Sequence, residues 1–114
     1  VDFHAEATSE KNALGLYLDG RVSAVIGTHT HIGTVDARVL PGGTAYVTDI
    51  GMVGPGNSVI GNEKESAIDR FLTQMPYRLV VGEGAVVFNS VLVEIDTAGQ
   101  ATSITRIDLK KTDT

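Results

Sequence analysis

The start of the chain carries a pattern of apolar runs and turn residues that predicts a strand, a helix and a second strand. Residues 1–3 form a short run typical of a buried strand. A helix is expected from Thr8, which can cap its start, to about Asp19, and Gly20 is placed to end it. Residues 22–26 are almost entirely apolar, as in a strand covered on both faces. These elements form a βαβ unit, in which the two strands run parallel. The apolar stripe of the predicted helix consists of Ala13, Leu14, Tyr17 and Leu18.

The middle of the chain predicts a hairpin and a second helix. Residues 36–40 and 44–48 are strand-like runs on either side of the turn Pro41-Gly42-Gly43, which is typical of a hairpin. Residues 49–56 follow as a glycine-rich loop. The next regular element is a helix over about 63–73. Its apolar side consists of Ile68, Phe71 and Leu72.

The last part of the chain predicts an antiparallel pair of strands. These strands cover residues 86–96 and 102–109 and are joined at Ala98-Gly99-Gln100, and residues 110–114 are expected to be a frayed tail. The fold class is therefore α/β, with a mixed sheet that contains the βαβ unit and is followed by antiparallel strands. A length of 114 residues, 42% of them hydrophobic, suits a single domain or part of one over residues 1–114. Because Val1 begins in the middle of a predicted strand, we expect the chain to be part of a longer protein.

Charge and composition exclude several functional classes. The formal net charge is -5 and there is no basic run, so we do not expect binding to duplex nucleic acid through phosphate neutralisation. The absence of cysteine excludes disulfides, thiolate nucleophiles and thiolate metal ligands. No apolar stretch approaches the roughly 20 residues of a membrane span, and the start has no signal-like pattern. We therefore expect a cytoplasmic protein without a membrane partner, in which any metal has nitrogen and oxygen ligands.

All three histidines of the chain follow apolar runs. His4 comes after the first predicted strand, and His29 and His31 come after the second. Since alternate side chains of an extended chain point the same way, His29 and His31 can both lie over one end of the sheet. The carboxyl ends of parallel strands meet at one edge, where ligands gather in open parallel sheets, and His4 belongs to the same edge. Imidazole is the commonest metal ligand in proteins and suits zinc and iron. The pattern predicts a metal site at which His4, His29 and His31 converge.

The same histidines allow a simpler interpretation. A single histidine such as His4 is more often a hydrogen-bonded residue at the edge of a core than a metal ligand. Thr28 and Thr30 alternate with His29 and His31, so we expect them to point the opposite way and to pack or hydrogen-bond behind the site. No catalytic residue is assigned within this chain.

Four carboxylates could complete such a site, namely Asp2, Glu6, Asp36 and Asp49. They could be further ligands, could orient the imidazoles or could act as a general base. Glu6 and Asp49 are the two we single out as neighbours that orient the ligands. Each also has an ordinary explanation, because the helix dipole favours an acid just before a helix and an aspartate before a glycine-rich loop commonly forms an Asx turn. The residues alone leave these alternatives open.

Three strings of the chain closely resemble the YmdB-like metallophosphoesterases, a bacterial branch of the calcineurin-like superfamily. They are VDFHAEATSEK at residues 1–11, GRVSAVIGTHTH at 20–31 and LPGGTAYVTDIGMVGP at 40–55. The resemblance covers nearly the whole chain and identifies it as the C-terminal half of such an enzyme. It implies that the intact protein is a four-layer αββα sandwich and a phosphodiesterase that hydrolyses cyclic nucleotides, including the 2′,3′-cyclic type.

The resemblance also implies a dinuclear centre of two divalent metal ions, with iron as the expected metal and manganese or zinc as alternatives. His4 and His29 correspond to ligands of one metal, and His31 corresponds to a ligand of the other. The remaining ligands, which are an aspartate, a bridging glutamate and an asparagine, and the histidine that protonates the leaving group come from the N-terminal half in this family. That half is the expected partner of this chain, besides a small phosphodiester substrate.

Two functional readings follow from this. In the first, the intact protein is a metal-dependent phosphodiesterase, and this chain alone binds at most one metal weakly and has no turnover. Sheet edges that the missing half would cover could then also lead to homo-oligomers. In the second reading, the chain is a non-catalytic binding or assembly module that keeps at most a structural metal site.

Overall fold

The computed structural model of the chain describes residues 1–112. Its elements follow the predicted order of a βαβ unit, a hairpin, a second helix and a final pair of strands. In chain order they are β1 (Asp2–His4), α1 (Thr8–Leu18), β2 (Ala24–Thr28), β3 (Arg38–Val39), β4 (Ala45–Val47), β5 (Val53–Pro55), α2 (Lys64–Thr73), β6 (Val86–Ile95) and β7 (Ala101–Lys111).

The described residues group into two compact units. The first contains Val1–Gly51 and Asn89–Asp108, and the second contains Met52–Phe88 and residues 109–112. The first unit holds a four-stranded sheet in the order β1-β2-β4-β3. β2 pairs in parallel with β1 and with β4, and β3 pairs antiparallel with β4. The predicted α/β class, the parallel βαβ unit and the hairpin are therefore confirmed.

The core of the first unit forms where α1 packs on the sheet. Val25, Leu40 and Tyr46 are buried together, and Leu18 and Val22 pack against them. The face of α1 that is buried carries Lys11 and Gly15.

The predicted apolar stripe of α1 is therefore wrong for Ala13 and Tyr17, which are exposed, whereas Leu14 and Leu18 are partly buried. Tyr17 is 71% exposed, and only Leu18 joins the core. The physical reason is a close approach, because a Cβ atom on Gly15 would lie 2.5 Å from the Tyr46 ring. The helix packs through its glycine rather than through large side chains. Thr8 does not cap α1 either, since the N-cap position is Ala7 and no side chain caps the helix there.

Gly27 allows a second close approach, within the sheet itself. Its position in β2 is buried, and a Cβ atom there would lie 1.7 Å from the backbone carbonyl oxygen of Thr48. The amide of Ile50 donates a hydrogen bond to the Gly27 carbonyl at 2.9 Å, so the chain after β4 stays alongside β2. This contact brings residues 48–50 against the strand that leads into the histidine segment.

The second unit contains the predicted helix as α2 and one strand that the sequence did not indicate. β5 lies inside the predicted glycine-rich loop and pairs antiparallel with the start of β6, with Val53 opposite Phe88. The prediction of an irregular loop over 49–56 is therefore wrong for these three residues. Ala67 is the buried residue of α2. The predicted apolar side of α2 is exposed, at Ile68 (49%), Phe71 (78%) and Leu72 (77%).

β6 and β7 are neighbours in a three-stranded sheet with the order β5-β6-β7. β7 continues through Lys111, so the predicted frayed tail does not begin at Lys110. Its neighbour β6 is ten residues long. The last two residues of the predicted tail, 113–114, lie outside the described residues. Neither helix of residues 1–112 has the length and hydropathy of a segment that crosses a membrane.

The close approach at Gly27 predicts a large loss of stability on Gly27→Ala. The added methyl group meets a backbone oxygen that cannot rotate away, so we expect the free energy of unfolding to fall by at least about 3 kcal/mol. Gly54→Ala is the matched control, because the nearest atom to its Cβ is the Met52 sulfur at 3.7 Å. It should stay within about 1 kcal/mol of the parent protein. Urea unfolding of both variants measures the difference, and equal stabilities would contradict the close approach.

Candidate functional site

His4 and His29 meet at the carboxyl edge of the parallel sheet. His4 is the last residue of β1, and His29 follows directly after β2. The Nδ1 atom of His29 lies 3.0 Å from the Nε2 atom of His4. The two rings are nearly perpendicular, at 86°, with centroids 4.8 Å apart. Both side chains are exposed, so a ligand can reach the two facing nitrogens.

The other ring nitrogen of His4, Nδ1, contacts Thr28. This atom lies 2.9 Å from the hydroxyl oxygen of Thr28, which donates to the Asp2 carboxylate at 3.3 Å. His4 and Thr28 are opposite each other in the parallel pair β1 and β2, which explains why their side chains meet. The expected hydrogen bond of Thr28 is therefore present, but its partner is His4 itself, one of the predicted ligands.

The chain leaves the extended conformation at the end of β2. His29 has a φ of 116° and His31 has a φ of 68°, both in the region that favours glycine. The predicted alternation of His29 and His31 along an extended strand is therefore wrong, because the backbone turns at each of them. Such backbone strain costs of order 1–3 kcal/mol per residue and persists only where the surroundings enforce it.

The buried carboxylate of Asp49 enforces this turn. Its Oδ2 atom accepts the backbone amide of Thr30 at 2.9 Å, and Thr30 is the residue between the two strained histidines. Oδ1 accepts the amide of Gly51 at 2.8 Å, which is the Asx turn that the sequence allowed. Oδ2 also pairs with the Nζ atom of Lys11 at 3.0 Å. One side chain thus holds the histidine segment, the loop after β4 and α1 together.

The ion pair beneath the histidine segment is removed from solvent. The side chains of Lys11 and Asp49 are 1% and 0% exposed. Burial raises the pKa of the Asp49 carboxyl, but hydrogen bonds from the Gly51 and Thr30 amides and from Lys11 outweigh it and hold the pKa below its usual value. Asp49 is therefore a charged anchor at neutral pH. Its contacts are to backbone amides and Lys11, and its predicted role in orienting the imidazoles stays a prediction.

The backbone of Asp49 is itself fixed. The amide of Asp49 donates to the Thr34 hydroxyl at 3.0 Å, and the amide of Thr34 donates to the Asp49 carbonyl at 2.9 Å. The Arg106 guanidinium donates to the carbonyls of Asp49 at 3.3 Å and Ile50 at 2.7 Å. It also donates to Asp108 at 2.8 Å and holds the pKa of that carboxyl below its usual value. Arg106 thus connects β7 to the loop that carries the anchor.

The other candidate carboxylates have different surroundings. Asp2 supports Thr28, as described above. Asp36 accepts hydrogen bonds from the hydroxyls of Thr34 and Thr48 and from Arg38, so its contacts stabilise the hairpin. Glu6 is exposed, and within residues 1–112 it forms no hydrogen bond or ion pair with another side chain. A role for Glu6 in orienting the imidazoles stays a prediction.

The geometry of the pair suits two ligands of one metal ion. Imidazole nitrogens lie about 2.0 to 2.1 Å from a bound zinc ion, so two of them are about 2.9 Å apart at a right angle and about 3.3 Å apart at the tetrahedral angle. The separation of His4 Nε2 and His29 Nδ1, 3.0 Å, lies between these values. Within residues 1–112, no group of three or more His, Cys, Asp or Glu side chains is close enough together to hold a metal. The structure does not bring His31 into one group with the other two, so its role as a ligand stays a prediction.

Sequence reasoning missed Lys11 and Arg106. A lysine on a predicted helix is normally solvated, and nothing in the local pattern shows that this one faces a carboxylate 38 residues away. Arg106 lies on a strand and reaches its partners only through the fold. Gly33 leaves room for Arg106, since a Cβ atom there would lie 2.3 Å from the guanidinium, but a glycine in the sequence does not by itself indicate an arginine partner.

Comparisons with known proteins give consistent relatives. A family model described as YmdB-like protein matches residues 1–107. A Bacillus subtilis (strain 168) protein named 2′,3′-cyclic-nucleotide 2′-phosphodiesterase is 56% identical over 96 residues, which are 84% of this chain and 36% of that protein. The chain thus spans about a third of the length of the curated relatives it matches.

Solved structures resemble the fold closely. A crystal structure described as a novel phosphatase of Mycoplasma pneumoniae matches 99% of this chain and 41% of its own, with 41% identity and a TM-score of 0.94. A hypothetical protein from Thermus thermophilus matches 97% of this chain and 44% of its own, with 46% identity and a TM-score of 0.92.

The buried ion pair predicts that Lys11→Met is strongly destabilising. The substitution leaves the Asp49 carboxylate buried without its cation, which should lower the free energy of unfolding by about 3–5 kcal/mol. Lys64→Met is the matched control, because Lys64 forms an exposed pair with Glu65 at 3.9 Å and should cost less than about 1 kcal/mol. Denaturant unfolding of both variants tests this. A Lys11→Met protein as stable as the control would show that the pair is not needed.

Proposed function

We propose a function from the premise that this chain belongs to the YmdB-like protein family, whose model matches residues 1–107. The chain contributes histidine ligands to a metal-dependent phosphodiesterase. His4 and His29 bind one divalent metal, and His31 binds a second. Iron is the metal we expect, with manganese or zinc as alternatives.

The observation that carries this proposal is the 3.0 Å approach of two exposed imidazole nitrogens at the carboxyl edge of β1 and β2. Two neutral imidazoles, together with the carboxylate ligands that this proposal places outside the chain, form a donor set that suits zinc, iron or manganese. When bound, such metals supply Lewis-acid charge to a phosphoryl oxygen and lower the pKa of bound water.

The residues of this chain act by positioning. Thr28 holds the His4 ring, and Asp49 holds the backbone on which His29 and His31 are carried. Both histidines of that segment keep strained backbone angles, so the ligands are fixed before a metal binds. His4 and His29 are both exposed, so a phosphodiester can approach them from solvent.

The substrate we propose is a cyclic nucleotide, including the 2′,3′-cyclic type, because the Bacillus subtilis relative is named for that activity. Its hydrolysis would give a nucleoside monophosphate. The net charge of -5 supports a site in which metal, rather than a basic patch, attracts the phosphate.

The remaining ligands and the leaving-group acid lie, in this proposal, outside residues 1–114. This chain alone should then bind at most one metal weakly and have no turnover.

The proposal predicts that metal and activity are lost together on His29→Ala. The test uses the full reading frame that contains this chain, with metal content measured by elemental analysis and hydrolysis of bis(p-nitrophenyl)phosphate and 2′,3′-cyclic AMP followed with added Mn²⁺. Losing one ligand should lower metal occupancy and reduce turnover at least about 100-fold. His4→Ala should behave in the same way, and His31→Ala should remove the second metal.

Two outcomes would contradict the proposal. Activity that survives His29→Ala and His31→Ala would exclude the dinuclear site. Robust turnover by residues 1–114 alone would show that no ligands from elsewhere are needed. Arg38→Ala serves as a control, since this exposed side chain contacts Asp36 rather than either histidine.

A further inference from the structure

We infer that Thr28 and Asp2 together fix the neutral His4 ring as the tautomer that carries its proton on Nδ1. The Nε2 lone pair of His4 then faces His29 and the position of the proposed metal. This inference rests on the proposed function, because it states how the chain prepares one of the proposed ligands. Thr28 and Asp2 are positioning residues in this account, and neither is a metal ligand.

The register of the sheet places the three side chains on one face. His4 lies opposite Thr28 in the parallel pair of β1 and β2, and Asp2 precedes His4 by two residues on β1. Because side chains alternate along a strand, Asp2 and His4 point to the same side. The Thr28 hydroxyl oxygen lies between them, 2.9 Å from His4 Nδ1 and 3.3 Å from an Asp2 carboxylate oxygen.

Counting protons along this chain of contacts assigns the tautomer. A carboxylate only accepts hydrogen bonds, whereas a hydroxyl has a single proton to donate. When the Thr28 hydroxyl donates to Asp2, its oxygen can only accept from His4. The Nδ1 atom of His4 must then carry the proton, and Nε2 keeps its lone pair. In the opposite tautomer, Nδ1 of His4 has a lone pair and can only accept the Thr28 proton. The Thr28 hydroxyl could then not donate a hydrogen bond to Asp2.

The contact with His29 agrees with this assignment. The nitrogens His4 Nε2 and His29 Nδ1 are 3.0 Å apart, so one proton lies between them in the metal-free protein. Since Nε2 of His4 carries a lone pair, that proton belongs to Nδ1 of His29 in the metal-free protein. His29 must then carry its proton on Nε2 instead before its Nδ1 can bind a metal. A neighbour that fixes the tautomer of a metal-binding histidine is a common feature of metal sites, and its removal typically costs 10- to 100-fold in affinity.

The test measures the tautomer directly, in metal-free protein at about pH 8.5. The full reading frame that contains this chain is labelled with ¹⁵N-histidine, and long-range ¹H–¹⁵N correlation distinguishes a protonated Nδ1 from a protonated Nε2. His4→Gln assigns the signal. We expect Nδ1–H in the parent protein, and a shift toward Nε2–H in Thr28→Val and in Asp2→Ala. Thr28→Ser keeps the hydroxyl and should restore the parent spectrum.

Metal affinity provides the second measurement. Titration with Mn²⁺ alone should show binding about 10- to 100-fold weaker in Thr28→Val than in the parent, with most of the affinity regained in Thr28→Ser. Glu10→Ala is the control for Asp2→Ala, because it removes the same charge from an exposed position in the first turn of α1. It should change neither the spectrum nor the affinity.

The outcomes separate this inference from the proposed function. A parent protein with Nε2–H on His4 overturns the inference, and so does an Nδ1–H signal that persists in both Thr28→Val and Asp2→Ala. A parent protein that shows the expected tautomer and its expected response, yet binds no Mn²⁺, supports the assignment and overturns the metal site instead.

Discussion

A single buried carboxylate holds the candidate site in place. Asp49 is fully removed from solvent and accepts three N–H donors, from the Thr30 amide, the Gly51 amide and the Lys11 ammonium. Each donor belongs to a different part of the first unit. Because an unpaired buried charge is costly, the carboxylate must find all of these partners at once. This requirement fixes in space the amide of Thr30, the residue between His29 and His31.

The anchor explains why strained histidines are tolerated. Positive φ angles at His29 and His31 would relax in an isolated loop, since neither residue is a glycine. Here the amide between them is fixed to Asp49, whose own backbone is held by Thr34 and Arg106. Tight packing beneath the loop adds to this, because Gly27 lets the chain after β4 lie directly against β2. The result is a rigid support beneath exposed imidazoles, which is the arrangement that a preorganised ligand site requires.

The parts of this structure that follow from local pattern were predictable, and the parts that follow from tertiary contact were not. His4 and His29 could be placed together because parallel strands bring their carboxyl ends to one edge, and that needs only the order of the strands. The relation of His29 to His31 was predicted wrongly because alternation assumes an extended chain. The turn that breaks it comes from a carboxylate 19 residues away. The burial of Lys11 could not be predicted either, because it also depends on a tertiary contact. Its helix, α1, buries this cation and Gly15 rather than the apolar stripe that the periodicity favoured.

The account depends most directly on the bond from Asp49 to the Thr30 amide, and hydrogen exchange in Asp49→Asn tests it. Asparagine has the same shape but only one acceptor oxygen, which can face either Thr30 and Lys11 or Gly51, so at least one of the two amides must lose its acceptor. In the parent protein both amides should exchange slowly, and in Asp49→Asn at least one of them should exchange at least about tenfold faster relative to the amides of β4. A Thr30 amide that exchanges as fast as an exposed one in the parent, or a variant in which both amides are unchanged, would contradict the account.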